Sequence, residues 1–203
     1  MTPFTLIGCI SLIFACVITA AAPAADPKPT TAPSGVPGDP AAAGAAGDIV
    51  TTKVRVQTFK PTTYLYKSSQ ATLNTIGKIA DATMPALESA MKTGGIQPQG
   101  APVFVYHNPT MQMDQPFTLD IGFPVPDDAK APQGYQVGKL QPLRAATVLY
   151  SGPIARIGEA YTKAFTEVFA NTLQPAAENR EYYLCWEGAE SPSNVVMIQI
   201  GVK

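Results

Sequence analysis

Histidine is nearly absent from this sequence: the 203 residues include one, His107. That excludes His-rich metal sites and every arrangement that needs a pair of imidazoles. Cysteine is scarce too. Cys9 and Cys16 both fall within the first 25 residues, which leaves Cys185 alone in the remainder. If those 25 residues are removed, no intrachain disulfide can form, and the folded part must rest on a hydrophobic core. Charge is low and balanced, with 14 Lys+Arg against 15 Asp+Glu and a net charge of -1. Such a chain offers no basic surface to a nucleic-acid backbone, so nucleic acid is not an expected partner. A phosphate loop, a Gly-rich dinucleotide fingerprint, a Ser-His-Asp pattern and metal-ligand spacing are all missing. No cofactor and no metal are therefore expected.

The shortage of charge is not evenly spread. No Lys, Arg, Asp or Glu precedes Asp26, and Leu6 to Ala20 is an apolar run that ends in small residues around Ala22-Pro23-Ala24-Ala25. This is the pattern of a secretory signal peptide, although its start carries no Lys or Arg. A retained N-terminal anchor is the competing reading, because the stretch nearly spans a bilayer. A lipidated Cys16 is a third. Residues 1–25 are thus expected to be a signal peptide or anchor. The protein is expected to be exported (periplasmic, secreted or membrane-anchored facing outward), with its N-terminus as a potential membrane tether. Residues 26–48 carry Pro27, Pro29, Pro33, Pro37 and Pro40 among small residues. They bury too little surface to offset the entropy of ordering and read as a disordered tether.

Residues 49–203 read as one domain. Lys53 to Gln57 alternates as a strand, and Ser68 to Thr93 has helical spacing on Leu73, Ile76, Ala80, Met84, Leu87 and Met91, with Ser68 or Ser69 as the cap. Pro85 is expected to kink or split that helix, and Gly94-Gly95 to end it. Strands follow at Pro102–His107 and Phe117–Phe123. The order then repeats: a strand at Ala145–Tyr150, a helix after Pro153 with its stripe on Ile154, Ile157, Tyr161, Phe165 and Val168, and strands at Arg180–Trp186 and Val196–Val202. The expected fold class is α+β. Two strand-helix-strand-strand repeats form an antiparallel sheet with the helices packed on one side and a groove between the halves.

Several segments then resemble the GyrI-like small-molecule-binding family, which also supplies the effector-binding domains of AraC-type and MerR-type multidrug regulators. Asp120-Ile121-Gly122-Phe123-Pro124-Val125, Tyr150-Ser151-Gly152-Pro153 with Glu159-Ala160-Tyr161, Arg180-Glu181-Tyr182-Tyr183-Leu184 and Ile198 to Val202 are similar to its motifs in order and spacing. The resemblance implies an aromatic groove with a buried Glu that meets polar or cationic aromatic ligands. That Glu falls on Glu181, with Tyr183 its neighbour in the motif. It also implies a small-molecule ligand. Two alternatives come with it: hydrolysis of reactive electrophiles, which some members perform, and haem binding, because the SOUL proteins share the architecture. The absence of a DNA-binding domain in this sequence keeps transcriptional control out of the expectation.

Period 2 places Glu181, Tyr183 and Cys185 on one face of their strand, with Tyr182, Leu184 and Trp186 on the other. A carboxylate between tyrosines attracts a cation by charge and by ring faces, and desolvation raises its pKa. The competing reading pairs Glu181 with Arg144 or Arg180 at the surface. Glu181, Tyr183, Trp186, Tyr150, Tyr106 and Tyr66 are the expected ligand-binding residues. Tyr64 and Tyr161 are further candidate groove liners, although Tyr161, with Phe165 on the same helix face, reads rather as core. Axial haem ligation would need His107 in the pocket, with Met111 and Met113 as nearby alternatives of unspecific spacing; a structural or exposed histidine is the plainer reading. Cys185 reads as a buried, inert thiol, and Asp120 as a residue that orders strand ends.

Overall fold

A computed structural model describes residues 49–110 and 112–203; the expected export segment (1–25), the expected tether (26–48) and Met111 lie outside the described residues. The chain runs β1 (Val50–Thr51), β2 (Arg55–Phe59), β3 (Thr62–Ala71), α1 (Ile76–Thr93), β4 (Val103–His107), β5 (Phe117–Pro124), β6 (Gln136–Leu140), β7 (Leu143–Ser151), α2 (Ile157–Ala170), β8 (Pro175–Cys185) and β9 (Val195–Val202). All strand pairs are antiparallel, and the sheet order is β1-β7-β9-β8-β4-β5-β3-β6, with β2 also on β7.

Two strand-helix-strand-strand repeats are present, β3-α1-β4-β5 and β7-α2-β8-β9. In the sheet they appear as β7-β9-β8 followed by β4-β5-β3, so the same three strands recur in reversed order and meet at the β8–β4 seam. The first strand of repeat one differs from the sequence expectation. Lys53 to Gln57 does contain a strand, β2, but it lies on the β7 edge. The repeat begins instead with β3. Its centre, Thr63-Tyr64-Leu65, is buried on both faces, which erases the alternation that marks a half-exposed strand. Ser68 and Ser69 therefore belong to β3. The helix starts later, at Ile76 behind Thr75, whose Oγ accepts from the Thr72 N–H at 2.8 Å. The expected bridge between the halves likewise contains β6, paired with β3.

Helix α1 continues through Pro85 without splitting. It ends where expected. Gly95 is left-handed at φ 66°, Ile96 N–H bonds to Met91 C=O and Gly95 N–H to Lys92 C=O, the paired bonds of a Schellman stop. Pro153 is followed by a 3-10 turn, Ile154–Arg156, that leads into α2. Helix α1 packs on β3 and β5, with Leu87 and Met91 against Leu65 and Phe123. Helix α2 packs on β7 and β9 through Ala160, Ala164 and Val168. Both helices share one side of a sheet curled into a half-barrel. On the other side Val103 and Val105 are fully buried with Tyr64 and Leu140, because the curl folds that face onto itself.

Candidate functional site

Since α1 covers β3 and β5 and α2 covers β7 and β9, strands β4 and β8 lie at the junction between the helices. Phe104 and Glu181 are register partners there. Period 2 then sends Phe104 and Tyr106 of β4, and Glu181 and Tyr183 of β8, to the helix side. Glu181 is 3% exposed. Its Oε2 accepts from the Tyr106 phenol at 2.6 Å and the Tyr183 phenol at 2.8 Å, and its Oε1 accepts from the Tyr161 phenol of α2 at 2.6 Å. Three strands or helices thus each deliver hydroxyls to one carboxylate.

No cation balances it among the described residues. Arg180 bonds to Glu178 and to the Gln141 carbonyl, and Arg144 donates to the Lys203 carbonyl, so the two expected surface partners are engaged elsewhere. Burial pushes the Glu181 carboxyl above its usual range, and the three phenol bonds oppose this only in part. Burial, and then the Glu181 charge, hold Tyr106, Tyr161 and Tyr183 well above an ordinary phenol. The cluster is therefore a carboxylate whose charge is both hydrogen-bonded and desolvated.

Four of the six expected residues gather here. Glu181, Tyr183 and Tyr106 form the hydrogen-bonded core. The Tyr183 ring contacts Phe104 at 4.6 Å and, edge-on, Trp186 at 5.8 Å. Strict alternation had sent Trp186 to the opposite face. The register shift between Tyr183 and Cys185 breaks that alternation, and β8 ends at Cys185. Trp186 remains 36% exposed, at the rim.

Tyr150 and Tyr66 do not join the cluster. Tyr150 is fully buried in the α2 core and donates to the Pro153 carbonyl. Tyr66 lies on the opposite face, stacked on Tyr64 at 4.4 Å and bonded to Gln136. Conversely, Tyr161 was expected to be core and supplies a third donor. The seam of α2 keeps Val168 of the expected stripe but runs through Ala160 and Ala164, one position before Tyr161 and Phe165, which turns Tyr161 toward β8. Two alanines four apart beside a tyrosine were the available signal.

The remaining candidates sit elsewhere. On the helix-free face His107 Nε2 lies 2.7 Å from Asp120 Oδ2, which also accepts from Tyr64 at 3.0 Å. The Asp120 bond raises the His107 pKa. Burial pushes Asp120 up, but bonds from His107, Ser68 and Tyr64 bring it below its ordinary value. His107 is thus held by a carboxylate away from Glu181. Met113 is exposed, and Cys185 is half-buried. Two clefts of about 430 Å³ open away from the seam: one by Val54, Arg144 and Glu167, the other by Thr62, Gln99 and Lys139. The Glu181 cluster is closed by its own tyrosines.

Residues 52–203 match the model of the GyrI-like small molecule binding domain. The C-terminal domain of EcmrR is similar in structure, with a TM-score of 0.64 at 16% identity over 74% of this chain and 97% of that one. Against EcmrR in its DNA complex the values are 0.64 and 17%, and the chain spans 57% of that protein's length. SAV2435 bound to tetraphenylphosphonium gives a TM-score of 0.53 at 11% identity, over 75% of this chain and 94% of that one. A hydrolase from Listeria innocua gives 0.51 at 10%, over 74% and 92%. Curated proteins yield no match.

Proposed function

The chain belongs to the GyrI-like small-molecule-binding family, and from that premise we propose that it binds a small, partly hydrophobic, cationic molecule at Glu181. One observation carries the reading: a carboxylate 3% exposed, with three phenol donors and no basic partner among the described residues. A buried charge without a countercharge is costly, and groups perturbed in this way cluster at functional sites. A cationic ligand supplies the missing charge. Tyr106, Tyr161, Tyr183 and Trp186 add ring faces to it. The fold-level likeness to a protein seen with tetraphenylphosphonium supports this ligand chemistry.

Trp186 is the one tryptophan and lies against Tyr183, so its fluorescence reports on the site. The test is a titration with tetraphenylphosphonium and with neutral triphenylphosphine oxide. Glu181→Gln is expected to weaken the cation at least about tenfold and the neutral compound far less. Equal losses overturn the charge role.

Hydrolysis has less support. Three of the roughly four acceptor sites of the carboxylate are taken by phenols, which leaves a single one, on Oε1, for a water. Export is part of the proposal and rests on the charge-free, apolar residues before Asp26. Cell fractionation with N-terminal sequencing tests it, and uncleaved protein in the cytoplasm overturns it.

A further inference from the structure

Strand β2 leaves one backbone edge open. Among the described residues it pairs with β7 alone, and Arg55 to Thr58 are exposed. An edge of this kind is a row of unpaired N–H and C=O groups that accepts a further strand.

The two faces of β2 differ in chemistry. Val56 is the register partner of Ala146, which belongs to the core beneath α2, so Val56 looks to the helix side. The cleft of about 430 Å³ opens there, along Val54, Val56, Ala146 and Val168, with Arg144 and Glu167 also in its lining. Its volume falls in the range of about 300–1,000 Å³ typical of ligand pockets. Val56 is 44% exposed, so the apolar surface is open to a partner. Arg55 alternates with Val56 and points to the opposite face, and Lys53 and Lys60 bracket the strand. These three cations form no ion pair among the described residues, and no Asp or Glu occurs between Asp48 and Asp81.

A strand added to β2 presents its side chains alternately to the same two faces. On the helix side they meet the apolar cleft, whose two charges are of opposite sign. On the other side they meet Arg55. Opposite charges across a strand pair stabilise it and like charges do not, so the matching sequence alternates apolar and acidic residues. A second copy of β2 brings the same basic residues to the pair and is disfavoured by the same rule.

We propose that the open edge of β2 binds an extended acidic peptide by strand addition, with apolar side chains over the cleft and acidic ones opposite Arg55. The site lies away from Glu181 and does not depend on the cation reading.

The test uses the full chain and a fluorescent octapeptide of alternating valine and glutamate. The comparisons are its valine–lysine counterpart and a fully N-methylated valine–glutamate peptide, which has lost the backbone donors. Fluorescence anisotropy is expected to show the glutamate peptide binding at least about tenfold tighter than either. Arg55→Glu combined with Lys53→Glu is expected to reverse the preference toward the lysine peptide, with the unfolding midpoint little changed. Equal binding of the N-methylated peptide overturns strand addition, and an unchanged preference in the variant overturns the charge match. Binding of no peptide, or a concentration-dependent dimer that excludes them, overturns the whole proposal.

Discussion

Tyr106 and Glu181 come from different repeats, and the 2.6 Å bond between them crosses the seam at which the two halves meet. It serves stability as well as the site. Tyr106→Phe removes one of two donors to Oε2 and is expected to destabilise the fold by about 2 kcal/mol, as for a hydrogen bond to a charged group. Urea unfolding at neutral pH measures it. An unchanged midpoint would show that Tyr183 alone satisfies that oxygen.

Glu181→Gln is expected to have a pH-dependent effect on stability. The folded-state pKa of Glu181 lies above the ordinary 4.5. Its contribution is therefore full below 4.5 and is lost as pH rises through the raised value. Glutamine does not titrate, so the variant gains on the wild type as pH climbs above 4.5 and the gain levels off beyond the raised pKa. Unfolding midpoints of both proteins across that range check the sign. A gap independent of pH would show that the carboxyl is not perturbed.

His107 gives the chain's one imidazole signal, so its titration can be read directly by NMR. Its bond to Asp120 should place the midpoint above 6.5, and Asp120→Asn should bring it down. The His107 contribution to stability is full below 6.5 and is lost as pH rises through the raised value. That of Asp120 is full above 3.8 and is lost as pH falls through its lowered value. The pair therefore stabilises most between those two ordinary values. A His107 midpoint insensitive to Asp120→Asn contradicts this.

Close packing makes one glycine far less replaceable than another. A Cβ on Gly122 would stand 2.3 Å from the Leu65 carbonyl oxygen, and that contact is backbone. Gly122→Ala is expected to cost about 3 kcal/mol, the upper end for overpacking. Gly77 meets nothing within 4 Å and lies in α1. Gly77→Ala is expected to stabilise by about 0.5 kcal/mol through helix propensity. Thermal unfolding of the two variants should move in opposite directions.

Much of this arrangement could be read from sequence, and the gaps have physical causes. Elements marked by alternating residue types or stop residues announced themselves: β5, β9 and the end of α1 at Gly94-Gly95 lie where these put them, although both strands are largely buried. The strand β3 did not, because its central Tyr64-Leu65-Tyr66 run carries no polar–apolar alternation. Glu181, Tyr183 and Tyr106 were legible through strand parity and motif order. Tyr161, a candidate groove liner, reads as core because a tyrosine in an apolar helical stripe looks like core until the small residues Ala160 and Ala164 fix the rotation of the helix. Tyr66 and Tyr150 stand apart for different reasons: Tyr66 points to the opposite face of the sheet, whereas Tyr150 shares the helix-side face but lies beneath α2, where its hydroxyl is engaged by the Pro153 carbonyl.

The seam between β4 and β8 also sets an order of events as the chain leaves the ribosome. Tyr106 and Glu181 are 75 positions apart, and β8 follows the whole first repeat. Until β8 is made, the backbone of β4 is a bare edge, a template for pairing with the wrong chain. Nascent molecules in which repeat one waits longest should be the ones that aggregate. The strand that carries Glu181 also closes that interval of exposure.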